Sequence, residues 1–333
     1  MQNPQENMIS SSPILSVRGL TTKFLLGKNS FPVVDNISFD LHPGKTLALV
    51  GESGCGKTVC ALSMLRILPQ PPALPPTGEV IYREKNLLDL SEKEMRKIRG
   101  DKIAMIFQDP MSALNPVYTV GEQLMEVAEL HLKLYGDEAY QKVIDALNDV
   151  GITEPEERIN SYPHQLSGGM KQRMMIAMAM LCEPDILIAD EPTTALDVTI
   201  QKQVLELMRD LQKRKGTAIL LITHDMGVVA EMADEVVVMY ATQAVEKGTV
   251  FQIFDQMSHP YTEGLFHSLP GRTKKGELLK AIEGRVPSIS SMPSGCHFHP
   301  RCPYVMEKCL HGKVPMFKVD EEHTSLCWLR EGL

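Results

Sequence analysis

The chain has 333 residues, which suits one large domain with an appendage or two ordinary domains. Hydrophobic residues make up 43% and charged residues 23%, so the composition is that of a folded globular protein and excludes a disordered, collagen-like or disulfide-scaffold chain. The net charge of −8 has the wrong sign for a protein that coats nucleic acid.

The longest apolar run that we find, Met174 to Cys182, is far shorter than the roughly 20 residues of a membrane-spanning helix. Residues 1–12 are polar and have neither a basic start nor an apolar stretch, so we expect no secretory signal and a cytoplasmic protein. In that compartment the seven cysteines are expected to be reduced thiols or metal ligands.

Short apolar runs alternate with helix-like stretches over most of the chain, which predicts an α/β fold with a mainly parallel sheet. The predicted strands are Leu47–Val50, Ile103–Phe107, Ile186–Ala189, Ala218–Thr223 and Val236–Tyr240. A helix begins near Lys57 and must stop around Leu68, because a proline-rich segment follows at residues 70–76. Residues 122–150 predict a helical insertion, and residues 270–333 predict a small appendage of mostly irregular structure.

The sequence Gly-Glu-Ser-Gly-Cys-Gly-Lys-Thr at residues 51–58 lies between a predicted strand and a predicted helix. Its glycines let successive backbone N–H groups surround phosphate oxygens at a helix N-terminus. Lys57 would reach the outer phosphates and the Thr58 hydroxyl would bind Mg²⁺. The alternative is an ordinary glycine-rich turn, which this context disfavours. The predicted phosphate-binding residues are Gly51, Ser53, Gly54, Cys55, Gly56, Lys57 and Thr58.

Two further segments supply groups that a nucleotide site needs. The strand that ends at Asp190 and Glu191 offers one carboxylate to hold Mg²⁺ through water and another to polarise a water for attack on the γ-phosphate. Ser167, Gly168 and Gly169 stand just before a helix-like run and form a second anion-binding N-terminus. The chain therefore carries two separate half-sites.

With these motifs in this order, the chain resembles the ATP-binding-cassette (ABC) ATPases, whose glutamine loop, signature and histidine are matched by Gln108, residues 166–170 and His224. The turn Ala195-Leu196-Asp197 also fits. The resemblance implies an ABC-type core, with a RecA-like parallel sheet, an antiparallel β subdomain and an inserted helical subdomain at about residues 109–180.

The resemblance also implies roles for individual residues. Glu191 would be the catalytic base, and His224 would contact the γ-phosphate. Gln108 would couple Mg²⁺ and the attacking water to the helical subdomain. Phe24 would stack on adenine, with Phe31 as the rival candidate.

Two positions depart from the family pattern. Met170 stands where most members have glutamine, but Ser167 and Gly169 are intact, so we expect the phosphate contact to survive. Thr242 stands where relatives usually have glycine. Because a β-branched residue disfavours left-handed backbone, we expect a different turn there.

Within the superfamily, the chain resembles the D-type ATPases of dipeptide, oligopeptide and nickel importers. The resemblance rests on residues 106–116, 162–165 and 259–262 and on the cysteine-rich tail. It implies a nucleotide-binding domain at 14–263 and a C-terminal extension at 264–333. ATP hydrolysis at the cytoplasmic face of the membrane would energise peptide uptake.

The same resemblance implies partners. These are two membrane-spanning permease subunits, an extracytoplasmic peptide-binding protein and a second ATPase, by resemblance a homologous F-type subunit. Residues after Gln108 would grip the permease. Import of nickel or another small solute stays open, and so does a soluble ABC ATPase that acts on nucleic acid or ribosomes, although the charge of −8 disfavours the latter.

Four of the cysteines, Cys296, Cys302, Cys309 and Cys327, fall in the tail and suit Zn²⁺ or an iron–sulfur cluster. Their spacings exceed the usual two to four residues of zinc knuckles, and Pro303 follows Cys302, which favours iron and sulfur. Related importers are similar in carrying a 4Fe-4S cluster there. Zinc, unligated thiols and ligation by nearby histidines stay open.

The other three cysteines lie in the first part of the chain. Cys60 and Cys182 fall in apolar helical runs and are expected to be core residues. Cys55 lies beside Lys57 at a helix N-terminus, so we expect a lowered pKa and a reactive thiol whose alkylation blocks ATP binding.

Overall fold

The computed structural model describes residues 12–109, 113–194, 196–268 and 282–332. Predictions that fall on residues 1–11, 110–112, 195, 269–281 and 333 lie outside the described residues. The strands are β1 Leu15–Leu26, β2 Asn29–Leu41, β3 Thr46–Val50, β4 Thr77–Tyr82, β5 Lys85–Asn86, β6 Ile103–Ile106, β7 Ile186–Asp190, β8 Ala218–Thr223, β9 Glu235–Tyr240, β10 Gln243–Thr249, β11 Phe317–Lys318 and β12 Thr324–Ser325. The helices are α1 Lys57–Met64, α2 Glu92–Met95, α3 Val120–Val127, α4 Gly136–Asp149, α5 Pro155–Arg158, α6 Gly168–Met180, α7 Val198–Lys215, α8 Met226–Met232, α9 Val250–Asp255 and α10 Pro260–His267.

The larger sheet has a parallel centre in the order β9-β3-β8-β7-β6. These strands are continuous apolar runs and are almost wholly buried, as expected for a sheet covered on both faces. All five predicted strands are confirmed to within one residue at each end. Because β3, β7 and β8 pair in register, Val50, Asp190 and Thr223 end at the same edge.

The smaller sheet is antiparallel, in the order β2-β1-β4-β5. Its inner face packs against α1 and the central sheet, where residues such as Val17, Ile37 and Phe39 share one hydrophobic cluster with Cys60 and Met64. The sheet therefore holds the start of α1, and the loop before it, against the core.

The segment between β6 and β7 contains α3, a π-helical turn at Ala128–Leu132, α4, α5 and α6. On α4, the buried residues Ala139, Val143, Ile144 and Leu147 recur at helical spacing and form one apolar face. They join a cluster that reaches α6, α7 and the parallel sheet.

Helix α1 ends at Met64, earlier than the predicted stop around Leu68. Arg66 takes the left-handed backbone at φ 54°, which a helix cannot continue. Its guanidinium donates to the carbonyls of Leu87 and Leu90 and holds this turn against the next segment.

The C-terminal residues 282–332 are built from short 3₁₀ turns and the strands β11 and β12. The expectation of mostly irregular structure misses one feature: β12 pairs with β10, so the tail extends the central sheet by two strands. Phe298, only 2% exposed, packs against Tyr240 and Tyr261 of the core. Burial of one such ring contributes about 1.5–3 kcal/mol to stability.

None of the described helices is both long and apolar enough to cross a bilayer.

Candidate nucleotide site

The phosphate loop connects β3 to α1, and its glycines are required by close backbone approaches. At Gly51, with φ 152°, a Cβ would lie 2.1 Å from the Met239 carbonyl oxygen, and at Gly56, with φ 106°, 2.4 Å from the Val33 carbonyl oxygen. Any side chain at either position would therefore force the loop open. The Lys57 ammonium is buried and donates to the carbonyls of Gly51 at 2.7 Å and Glu52 at 3.2 Å.

Thr58, in the first turn of α1, meets Asp190, the last residue of β7. The Thr58 hydroxyl donates to Asp190 Oδ1 over 3.2 Å. Burial raises the pKa of Asp190, although Thr58 and Lys57 act in the opposite direction. A hydroxyl and a carboxylate oxygen at this spacing are the kind of hard ligands that Mg²⁺ takes, so the pair fits the predicted magnesium role chemically.

Glu191 follows Asp190 with φ 47° and is oriented by three side chains. The Gln108 amide donates to its Oε2 over 3.1 Å, the Thr194 hydroxyl donates to the same oxygen over 3.0 Å, and His224 Nδ1 lies 3.0 Å from Oε1. Burial acts to raise the pKa of Glu191, but the hydrogen bonds from His224 and Thr194 outweigh it, so the pKa is lowered. The structure thus brings Gln108, Glu191 and His224 together.

The signature residues stand at the start of α6, a helix of 13 residues. Ser167 is the N-cap and its hydroxyl accepts from the Met170 N–H over 3.3 Å. Ser167 and Gly168 are exposed, and a Cβ on Gly169 would lie 3.1 Å from the Ile200 side chain. Met170 itself packs against the helical core, so the cap forms without the glutamine usual in the family.

Phe24 and Phe31 face each other directly on β1 and β2, and both are half-buried. Opposed residues of an antiparallel pair lie on the same face of the sheet. Either ring could therefore make the adenine contact, and both Phe24 and Phe31 stay candidates.

Two family models match the chain. Residues 34–194 match the ABC transporter model, and residues 245–309 match the model described as the oligopeptide/dipeptide transporter C-terminal region. The chain is 49% identical over 318 residues to the dipeptide transport ATP-binding protein DppD of Bacillus subtilis, which covers 96% of this chain and 95% of that protein. The chain belongs to the ABC transporter family.

A second curated relative, the oligopeptide transport ATP-binding protein OppD of Bacillus subtilis, is 47% identical, with 97% of this chain and 90% of that protein covered. Among solved structures, the dimeric post-hydrolysis state of the ATP-binding cassette MJ0796 bound to ADP and Pi matches with a TM-score of 0.63 at 26% identity, covering 71% of this chain and 98% of that one. The ABC ATPase fold and the ATPase class are thereby shown for this chain.

The expected reactive thiol in this ABC ATPase is not there. Cys55 is fully buried, and burial raises its pKa more than the neighbouring Lys57 lowers it. Lys57 does act to lower the pKa of Cys55, but the sulfur is buried in the protein and loses its hydration. The core assignments of Cys60 and Cys182 are confirmed, since both are buried.

The turn at Thr242 also differs from the expectation. Thr242 takes φ 77° and Ala241 φ 43°, so the β-branched residue adopts the left-handed conformation that glycine would take. The Thr242 N–H donates to Cys55 O over 3.1 Å and its carbonyl accepts from Asp35 N–H over 2.9 Å. These bonds on both sides hold a conformation that costs about 1–2 kcal/mol.

The four tail cysteines come together around one cavity, which is also lined by Phe298 and Trp328. Burial raises the pKa of the Cys296 thiol, to about 11, and also raises those of Cys302 and Cys327. Within the described residues, no three side chains of His, Cys, Asp or Glu are arranged as a metal-binding group. The four soft donors are present around one cavity.

Sequence reasoning missed three residues that contact the site in this ABC ATPase. Thr194 orients Glu191, and its position three residues downstream in a turn is a local signal that was available. Tyr261 and Arg301 contact Glu52 of the phosphate loop from distant parts of the chain, and nothing in the local sequence indicates those contacts.

Proposed function

We propose that this chain is the ATP-hydrolysing subunit of an importer that energises uptake of dipeptides or oligopeptides across the cytoplasmic membrane. The observation that carries the proposal is the near-full-length similarity to peptide transport ATP-binding proteins, which includes the C-terminal region at residues 245–309. The match of residues 245–309 to the oligopeptide/dipeptide transporter C-terminal region favours peptide over other solutes and over the function of a soluble ABC ATPase.

The geometry of the site supports a division of labour in ATP hydrolysis. The phosphate loop and Lys57 would hold the phosphates, and Thr58 and Asp190 would hold Mg²⁺, which would supply neutralisation of the phosphate charge. Glu191 accepts one proton from the attacking water, the water oxygen bonds to the γ-phosphorus, and the bond from that phosphorus to the bridging oxygen of ADP breaks. The lowered pKa keeps Glu191 ionised at neutral pH, and Gln108 and His224 hold it in place.

A complete site would use two ATPase chains arranged head to tail. The exposed Ser167 and Gly168 at the start of α6 offer N–H groups and a hydroxyl to a nucleotide held on the phosphate loop of the partner. The related cassette MJ0796 is dimeric in its solved post-hydrolysis structure, which supports this arrangement. The partner is proposed to be a homologous F-type subunit.

We assign residues 14–263 to the nucleotide-binding domain, with a helical subdomain at about 109–180, and residues 264–333 to the extension. Phe107, Val117 and Tyr118, which are 42%, 72% and 52% exposed, give the start of the helical subdomain an apolar surface. We propose that two permease subunits bind there, which places the chain peripherally on the cytoplasmic face of the membrane. The peptide-binding protein would be reached through those permease subunits.

For the extension we propose a 4Fe-4S cluster, held by Cys296, Cys302, Cys309 and Cys327, with Zn²⁺ as the second candidate. Support comes from the four soft donors that line one cavity. Such a group would tie together turns that have little other regular structure. Iron, sulfide and zinc analysis of anaerobically purified protein tests this, and Cys302→Ser is expected to lose the bound metal.

The function is tested by purifying the tagged chain from native membranes and reconstituting the recovered complex in liposomes. We expect two permease subunits and a second ATPase, and ATP-dependent uptake of labelled dipeptide or oligopeptide. Uptake of Ni²⁺ in place of peptide, or recovery of ribosomes or nucleic acid without permease subunits, would overturn the proposal.

A further inference from the structure

The C-terminal extension contacts the phosphate loop through the segment between its first two cysteines. Arg301, directly before Cys302, donates from Nη1 to both carboxylate oxygens of Glu52, at 3.0 Å and 3.3 Å. Glu52 is the second residue of the phosphate loop. The Arg301 side chain is only 6% exposed, so this ion pair is largely shielded from water on the arginine side.

Arg301 is fixed on the extension side by further bonds. Its Nε donates to the Glu283 carbonyl over 2.9 Å, Nη2 donates to the Ile282 carbonyl over 3.3 Å, and the guanidinium carbon lies 5.6 Å from the ring centroid of Tyr240. The guanidinium is therefore held in one orientation, and a change in the extension moves the group that pairs with Glu52.

One more contact reaches the loop directly, and a second reaches the turn that is bonded to it. The Glu52 N–H donates to the Tyr261 hydroxyl over 2.9 Å. His297 Nδ1 lies 2.8 Å from the Ala241 carbonyl oxygen, in the turn whose Thr242 N–H donates to Cys55. Arg301 and Tyr261 thus contact the start of the loop directly, and His297 is linked to its later part only through the turn at residues 241–242.

We propose that Arg301 is a positioning residue for nucleotide binding, through which the cysteine-rich extension sets the affinity of the phosphate loop. This inference rests on the proposed function, because the ligand of the loop is taken to be ATP. Glu52 carries a negative charge in a loop that must hold several phosphate charges. Arg301 compensates that charge and turns the carboxylate toward the extension.

The proposal makes an electrostatic prediction that simple loosening of the extension does not. In Arg301→Gln, the uncompensated Glu52 repels the nucleotide, so we expect the Kd for ATP to rise about tenfold and the Kd for ADP to rise less. Because salt screens exposed charges over about 8 Å at physiological ionic strength, the ratio between variant and wild type should shrink as salt is raised.

The test is isothermal titration of the full chain with ATP and with ADP, at low and high salt. Removal of the repelling charge in the double variant Arg301→Gln with Glu52→Gln should restore the Kd for ATP to within about threefold of wild type. The matched control is Arg330→Gln, since Arg330 docks the extension through the carbonyls of Ser258 and Met257 and does not touch the loop.

The outcomes separate the two levels of inference. Wild-type protein that fails to bind ATP would overturn the proposed function itself. Wild-type binding with an unchanged Kd in Arg301→Gln would overturn the positioning role alone. A defect in Arg301→Gln that Glu52→Gln does not rescue, or an equal defect in Arg330→Gln, would show that Arg301 acts only by docking the extension.

Discussion

At the carboxyl edge of the parallel sheet, Asp190, Glu191 and His224 lie at or directly after the ends of strands whose register is fixed by backbone hydrogen bonds, whereas the cysteine-rich extension has short turns and strands of two residues. In the first region Asp190 and Glu191 are placed by the ladder between β7 and β8. In the second, position depends on individual side chains such as Phe298 and Arg301. The backbone ladder therefore sets the position of these carboxylates, whereas the position of the extension depends on single side-chain contacts.

Phe298→Ala tests that dependence and should have the largest effect. Phe298 is 2% exposed and packs on Tyr240 and Tyr261, so its loss is expected to cost about 3–5 kcal/mol in the free energy of unfolding. Denaturant unfolding of the full chain measures it. Phe251→Ala removes a ring that is 76% exposed and serves as the matched control, with little expected change. Equal effects of both variants would contradict the comparison.

Glu191→Gln tests the proposed role of Glu191 as the base at the carboxyl edge of the parallel sheet. The amide cannot accept the proton of the attacking water, so kcat should fall by roughly 10² while ATP binding persists. Steady-state ATPase assays and nucleotide titration check both quantities. Glu206→Gln, on the exposed face of α7, is the control and should keep full activity. Wild-type turnover in Glu191→Gln would remove Glu191 from its proposed role.

Thr194→Val tests whether the hydrogen bond from the Thr194 hydroxyl helps to keep Glu191 ionised. A carboxyl with a lowered pKa is ionised above that pKa and loses activity as pH falls through it, here below the ordinary value of 4.5. Loss of the Thr194 hydrogen bond should move the acid limb of the pH–kcat profile to higher pH, because that bond helps to lower the pKa of Glu191. Thr193→Val, which removes the neighbouring hydroxyl, should leave the limb in place. A shift in both variants would point to a general change in the loop.

The smallest expected change is in the labelling of native Cys55 by a thiol reagent, for which we expect essentially no reaction. The thiol is fully buried and its pKa is raised, so iodoacetamide at pH 8 should leave it unmodified with or without ATP. Mass spectrometry of tryptic peptides measures the labelling, and denatured protein, in which all seven cysteines react, is the control. Rapid labelling that ATP suppresses would restore the original expectation of a reactive thiol.

Much of the strand-edge region was predictable because its signals are local. The apolar runs at residues 47–50, 186–189 and 218–223 indicate buried parallel strands, and polar groups that follow such strands must meet at one edge. The early end of α1 was not predictable, since it depends on Arg66 reaching the carbonyls of Leu87 and Leu90.

The errors at Cys55 and Thr242 have one physical origin. Local sequence gives the charge and backbone preference of a residue, but not which way a side chain points or which distant groups hold a turn. Cys55 is decided by burial, and Thr242 by two hydrogen bonds to other segments. The contacts of the extension with the phosphate loop are non-local in the same way, since Arg301 and Glu52 are far apart in sequence.

The pairing of β12 with β10 has a consequence for shortened forms of the chain. Without β12, the backbone groups of Glu246 and Lys247 would form an open strand edge of the kind that recruits other chains. The fully buried Glu246 carboxylate would also lose His323 Nε2, which lies 2.7 Å away, and would keep the N–H groups of Ser258 and His259. A protein truncated before β11 would therefore self-associate through the free edge of β10. In the full chain, the tail prevents this by covering that edge.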